Sequence, residues 1–245
     1  MKNMLLIKKE DIEYYLNKYN IEDYEIIEDQ EYGYMVNVNN NVFLNHKNLK
    51  SLEVKFNKIN GYFDCCHNEL TSLEGCPKII KEYFDCSSNK LKSLKGCPEI
   101  VDGNFNCSFN ELTSLKGAPE IVFGSFACYK NKLISLEYCP GIVYKNFNSS
   151  YNELITLKGA PKIVKNFFSH NNNLNLESLR YLPQEVTENC INISQNKQLG
   201  DLQNILDFNE LREKINIPFE KEKLLDIINQ DNIQKNNKKN SINKL

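Results

Sequence analysis

The feature that most constrains this chain is a fixed step of 21 residues, seen when Phe105 to Pro119, FNCSFNELTSLKGAP, is laid against its surroundings. Phe63, Phe84, Phe105, Phe126 and Phe147 share one column at that step, and Asn68, Asn89, Asn110, Asn131 and Asn152 share another. Two leucine columns run Leu70, Leu91, Leu112, Leu133, Leu154 and Leu73, Leu94, Leu115, Leu136, Leu157; a proline column runs Pro77, Pro98, Pro119, Pro140, Pro161. Such regularity means one supersecondary unit stacked on copies of itself. The unit from Gly103 to Val122 offers Phe105, Cys107, Leu112, Leu115, Ile121 and Val122 for burial, about 1.5–3 kcal/mol for each large side chain. Ordering costs about 1.5 kcal/mol per residue, so an isolated unit stays unfolded and neighbours must cover each other.

Phe105-x-Cys107 alternates with period 2, which predicts a short strand with both residues inward and Asn106 outward. Stacked strands then form a parallel sheet. An inward Asn110 amide, placed where the chain leaves the strand, satisfies backbone groups that no ladder reaches, so the Asn column is structural. Lys116 to Pro119 holds Gly and Pro in too few residues for a helix and reads as extended. The column after Asn reads Glu69, Lys90, Glu111, Lys132, Glu153. With coils about 5 Å apart, that alternation opposes a slip by one coil.

The pattern apolar-x-apolar-x-x-Asn-x-Leu-x-x-Leu at this period, over residues 42 to 199, resembles the leucine-rich repeat family. The resemblance implies a solenoid of about seven to eight coils, with a parallel β-sheet on its concave side and a mostly extended convex side. It also implies a protein partner on the concave face. Where some bacterial effectors of that family carry a Leu-Pro-x-Leu-Pro spacer, this chain has Gly-Cys/Ala-Pro, similar to repeat proteins of bacteria and their phages. The ubiquitin-ligase domain those effectors append uses a catalytic Cys, and no Cys follows residue 199 here.

Ile12, Tyr15, Leu16 and Tyr19 lie at helical spacing within residues 8 to 20. Tyr24 to Ile27 and Tyr34 to Val38 read as strands about Gly33, so residues 1–41 form an α/β N-terminal cap on the first coil. Beyond Pro161 the period loosens, Leu174 falling 20 residues after Leu154 and Pro183 falling 22 after Pro161. Ile191-x-Ile193-x-x-Asn196 restores the pattern once. Leu202, Ile205, Leu206 and Leu211, then Phe219 to Asn229, predict a helical C-terminal cap over 200–229; the Asn/Lys-rich 230–245 is expected to be disordered.

Composition narrows function. A net charge of −2 with pI about 6.0 gives no nucleic-acid footprint. No apolar segment has the length of a secretory signal or membrane span, so a cytoplasmic monomer is expected. Nine cysteines are present, and Cys65, Cys86, Cys107 and Cys128 share one inward column with Ser149, while Cys76, Cys97 and Cys139 share another with Ala118 and Ala160. Exchange with small residues marks buried free thiols. No P-loop, H-E-x-x-H or G-x-S-x-G occurs, so neither enzyme nor cofactor is expected.

Residues flanking the inward pair supply the candidate site. Tyr62, Asp64, Tyr83 and Asp85, with Asn106, form an acidic, tyrosine-bearing patch at the first turns; Phe109, Tyr129, Lys130 and Tyr151 form an aromatic one further along. Aromatics on a preformed surface are typical hot spots of protein recognition. The expected function is a non-enzymatic protein-binding scaffold, a phage or bacterial inhibitor being one form of it. Alternatives are an exported effector, or a metal or small-ligand binder. The metal alternative rests on His46 and His67, one step apart with Cys66 beside them; Lys47 replaces the structural Asn there.

Overall fold

Each 21-residue unit closes one coil that carries two short strands. The computed structural model describes residues 8–171, 173–176, 179–186, 190–192, 194, 196, 207 and 209–211. Strands at Val42–Phe43, Phe63–Asp64, Phe84–Asp85, Phe105–Asn106, Phe126–Ala127, Phe147–Asn148, Phe167–Ser169 and Cys190–Asn192 make an eight-stranded sheet, parallel throughout. Its register joins Phe63 to Phe84, Phe84 to Phe105 and Phe105 to Phe126, so the sequence column is the ladder.

The second strand of each coil was not expected. Ile79–Ile80, Ile100–Val101, Ile121–Val122, Ile142–Val143 and Ile163–Val164 stack into a parallel ladder of their own, continued by Glu185–Val186 and preceded by Phe56–Ile59. A hairpin extends this sheet to nine strands: β1 (Tyr24–Asp29) pairs antiparallel with β2 (Gly33–Val38), which lies parallel to Phe56–Ile59. The molecule is thus a parallel-strand solenoid with little helix among its described residues. The stretch expected to be extended also bends: Ala118 N–H donates to Leu115 C=O at 2.9 Å, closing a β-turn in which Gly117 takes φ +101°. The same turn recurs at Cys76, Cys97, Cys139 and Ala160. A β-carbon on Gly117 would stand 2.6 Å from the Leu94 carbonyl oxygen.

The core lies between the two sheets. Phe105 and Cys107 are fully buried and Asn106 is half-buried, the phase that the alternation predicts. Phenylalanine rings follow one another along the axis, edge-on with centroids 5.1 Å apart for Phe84 and Phe105 and stacked at 5.3 Å for Phe105 and Phe126. At each corner the Asn amide bridges coils. Asn110 Nδ2 donates to the carbonyls of Cys107 and Ser108 in its own coil and of Cys86 in the preceding one, while its Oδ1 accepts from Leu91 N–H at 3.0 Å. Asn68, Asn89, Asn131 and Asn152 repeat these bonds. In the alternating charge column Lys90 reaches Glu69 at 3.2 Å and Lys132 reaches Glu111 at 3.4 Å. These half-exposed pairs are worth well under about 1 kcal/mol each and act on register.

Helix α1 (Lys9–Lys18) buries Ile12, Tyr15 and Leu16 in the same core as the coils. The late coils are irregular in a different place from that expected. Leu176 is buried and Leu174 is exposed, so the column leucine comes 22 residues after Leu154 rather than 20. Asn173 keeps its 21-residue step, which places one extra residue between Asn173 and Leu176. Ile193 and the helices expected from Leu202 to Leu206 and from Phe219 to Asn229 lie outside the described residues, as does 230–245; Leu211 is described and fully buried.

Candidate binding face on the phenylalanine strands

Side chains flanking the inward Phe and Cys project from the eight-stranded sheet, and they divide into two groups of different character. At the first turns they are tied to each other. Asp85, expected to be open, is 9% exposed. It accepts from Tyr83 Oη at 2.5 Å, from Asn106 Nδ2 at 3.1 Å and from Ser87 N–H at 2.8 Å. Burial, then the Asp85 carboxylate, pushes the Tyr83 phenol well above its ordinary range, so it stays a donor. The bond to the amide two residues on recurs in the column: Asp64 to Cys66, Asn106 to Ser108, Asn148 to Ser150, Asn192 to Ser194. These residues cap strand ends. Tyr62 remains open, its ring edge-on to Tyr83 at 6.2 Å.

In the middle coils the aromatic side chains make contacts of a different kind. Phe109 and Tyr151 are 41% and 49% exposed. Phe109 meets Tyr129 edge-on at 5.0 Å, and the Lys130 ammonium sits 4.6 Å from the Phe109 ring centre and 5.7 Å from that of Tyr151. The structure therefore brings all four residues of the aromatic patch together. Their column has a further property: Phe109, Lys130 and Tyr151 adopt φ of +53°, +52° and +55°. His46, His67 and Ser88, in the same column, are also left-handed. The turn into the buried Asn demands that conformation, and bulky side chains bear a cost there of about 1–2 kcal/mol.

No protein family, curated protein or solved structure matches the chain.

His46 and His67 come together, but as a parallel stack 4.4 Å between ring centres with planes 8° apart. Imidazole lone pairs lie in the ring plane, so parallel rings do not converge on one ion at about 2 Å. The Cys66 thiol is raised by burial and by its bond to Asp64, which opposes the thiolate a metal requires. Among the described residues no group of three or more potential ligands forms a metal site. Cys65, Cys66, Cys76, Cys86, Cys97, Cys107, Cys128 and Cys139 are free thiols. Cys65, Cys86, Cys107 and Cys128 are fully buried, and burial drives Cys86, Cys107 and Cys128 far above the usual thiol range. No helix among the described residues is long and apolar enough to cross a membrane.

Sequence reasoning missed an exposed apolar strip on the coil that follows Phe126. Tyr138 is 61% exposed at φ +66°, where Gly75, Gly96, Gly117 and Gly159 stand in other coils, and Ile134 and Ile155 are exposed on adjacent turns. The break in the glycine column was the available signal.

Proposed function

We propose that the chain is a short-repeat leucine-rich repeat protein whose eight-stranded sheet lines the concave face, and that it works without catalysis by binding a partner protein there. The observation that carries this reading is the set Phe109, Lys130 and Tyr151: large exposed side chains on three successive turns, each on left-handed backbone that glycine or asparagine would adopt more cheaply. Their identity gains the fold little. Two rings hold one ammonium between them and a third, Tyr129, packs against Phe109, so the cluster is preorganised and loses little side-chain freedom on binding.

The test is affinity capture from the source cell with the native chain and a Phe109→Ser/Tyr129→Ser/Tyr151→Ser variant, followed by titration of the captured protein. Each single substitution should cost about 2 kcal/mol, or roughly thirtyfold in affinity. The melting temperature should hold, since none of the three belongs to an inward column. Undiminished binding by the triple variant would place the interface elsewhere.

A further inference from the structure

We propose that the crevice between the β1–β2 turn and the first coils is a binding site for a small dianion of the phosphate monoester class, held by the ammonium groups of Lys55 and Lys78 beside Tyr32. The crevice encloses about 630 Å³, within the size range of small-molecule sites. It lies among the Gly-Cys-Pro turns, away from the phenylalanine strands, and is independent of the partner-binding face.

Three features make it a formed site. First, the Asp29 carboxylate accepts from the N–H groups of Glu31 and Tyr32 at 2.9 and 2.8 Å, and Gly33 closes the turn at φ +70°, so the Tyr32 ring is presented from fixed backbone. Second, two ammonium groups converge on that ring: Lys55 Nζ lies 3.8 Å and Lys78 Nζ 4.6 Å from its centre. Third, both lysines are half-buried, yet neither is in an ion pair among the described residues, whereas Lys81, Lys90, Lys132, Lys158 and Lys165 each have one. Lysine rarely leaves solvent without a partner, and the ring face offsets only part of that loss. Burial, then the charge of Lys78, pulls the Lys55 pKa below its ordinary value. What the two ammonium groups lack is an anion in direct contact among the described residues.

The chemistry of the lining selects its form. Ammonium groups are compact point charges suited to phosphate, and two of them gathered at one ring match a doubly charged headgroup better than a single carboxylate. Lys95 adds a third cation at the lining, but Glu74 and Glu99 line the same space and Asp29 and Glu31 act on Lys55. A long polyanion would meet these carboxylates, so the ligand is a small molecule with one anionic end rather than a nucleic-acid backbone.

Calorimetric titration of the full chain with inorganic phosphate and with phenyl phosphate, at constant ionic strength, tests the proposal. One saturable site with Kd below about 1 mM is expected. Lys55→Gln and Lys78→Gln should each weaken it by roughly tenfold or more, as loss of a charge-assisted contact does. Lys92→Gln, at an exposed position outside the crevice, should leave it unchanged. Circular dichroism of each variant confirms that the fold is retained. The proposal is overturned if no saturable binding occurs, if the Lys55/Lys78 double variant binds as the native chain does, if Lys92→Gln is equally impaired, or if malonate binds more tightly than phenyl phosphate.

Discussion

The outer face of the first coils and that of the middle coils share one backbone and one register, yet their side chains are used in opposite ways. From Asp64 to Asn106 the polar groups turn inward on the molecule: carboxylates and amides cap strand ends, and Asp85 is hidden under Tyr83 and Asn106. In the middle coils Asn148 keeps the capping bond, but Phe109, Tyr129, Lys130 and Tyr151 project and touch one another. Even the inward column changes. Cys65, Cys86 and Cys107 fill it with thiols, whereas Ser149 and His170 put side-chain polar atoms there that have no hydrogen-bond partner among the described residues. Within the acidic patch read from sequence Asp85 is thus tied into the scaffold while Tyr62 stays open, and the rings of the aromatic patch stand at the surface. Composition does not separate the two; satisfaction of hydrogen bonds does.

Three substitutions break or sharpen that contrast. The largest effect is expected at Asp85→Ala, which strands the Tyr83 hydroxyl, the Asn106 amide and the Ser87 N–H near or below the surface. The loss should be about 2–3 kcal/mol by urea denaturation. A neutral outcome would mean the first coils are as open as the middle ones. Next comes His170, fully buried beside Phe168, its pKa lowered by burial to about 3. The unfolded chain protonates near pH 6.5, so stability is unaffected above that value, declines as the pH falls below it and levels off near the folded value. At pH 5 the deficit is about 2 kcal/mol. His170→Cys, which restores the thiol column, should flatten that dependence between pH 7 and 5; an unaltered slope would assign it to other groups. The smallest effect belongs to Phe109→Gly. Relief of the left-handed backbone should leave stability unchanged or raise it by up to about 1 kcal/mol, while partner binding falls. If the melting temperature drops instead, the ring is part of the scaffold.

The periodic part of the fold was legible because core burial demands one phase: Phe105 and Cys107 in, Asn106 out, and Asn110 at the corner. The alternating charges gave the same register. The second ladder was not legible, since Ile121–Val122 is too short to display alternation and both residues are buried. Leu174 and Leu176 are chemically equivalent candidates for one column, and only the three-dimensional placement of the extra residue decides between them. Of the site, the aromatic cluster could be assembled from column positions. The burial of Asp85 could not, because it depends on side-chain hydrogen bonds within its own coil and to the next one. The pairing of Lys55 and Lys78 on Tyr32 joins a hairpin turn to two coils and leaves no mark in the period.

The asparagine ladder has a direction. From Asn68 to Asn173 each amide reaches back to a carbonyl 24 residues earlier and accepts from an N–H 19 residues earlier, as Asn89 does with Cys65 and Leu70 and Asn131 does with Cys107 and Leu112. A coil is therefore finished in part by its successor, which supplies bonds its own asparagine does not make. During synthesis the chain adds the finishing group only after the coil it serves has emerged, so order would advance from the N-terminal end one coil behind the growing chain. Wherever the ladder stops, the same two backbone groups, one carbonyl and one leucine N–H, await a partner. Coils can thus be gained or lost in whole numbers without changing the chemistry of the end, which gives gene duplication a unit it can copy.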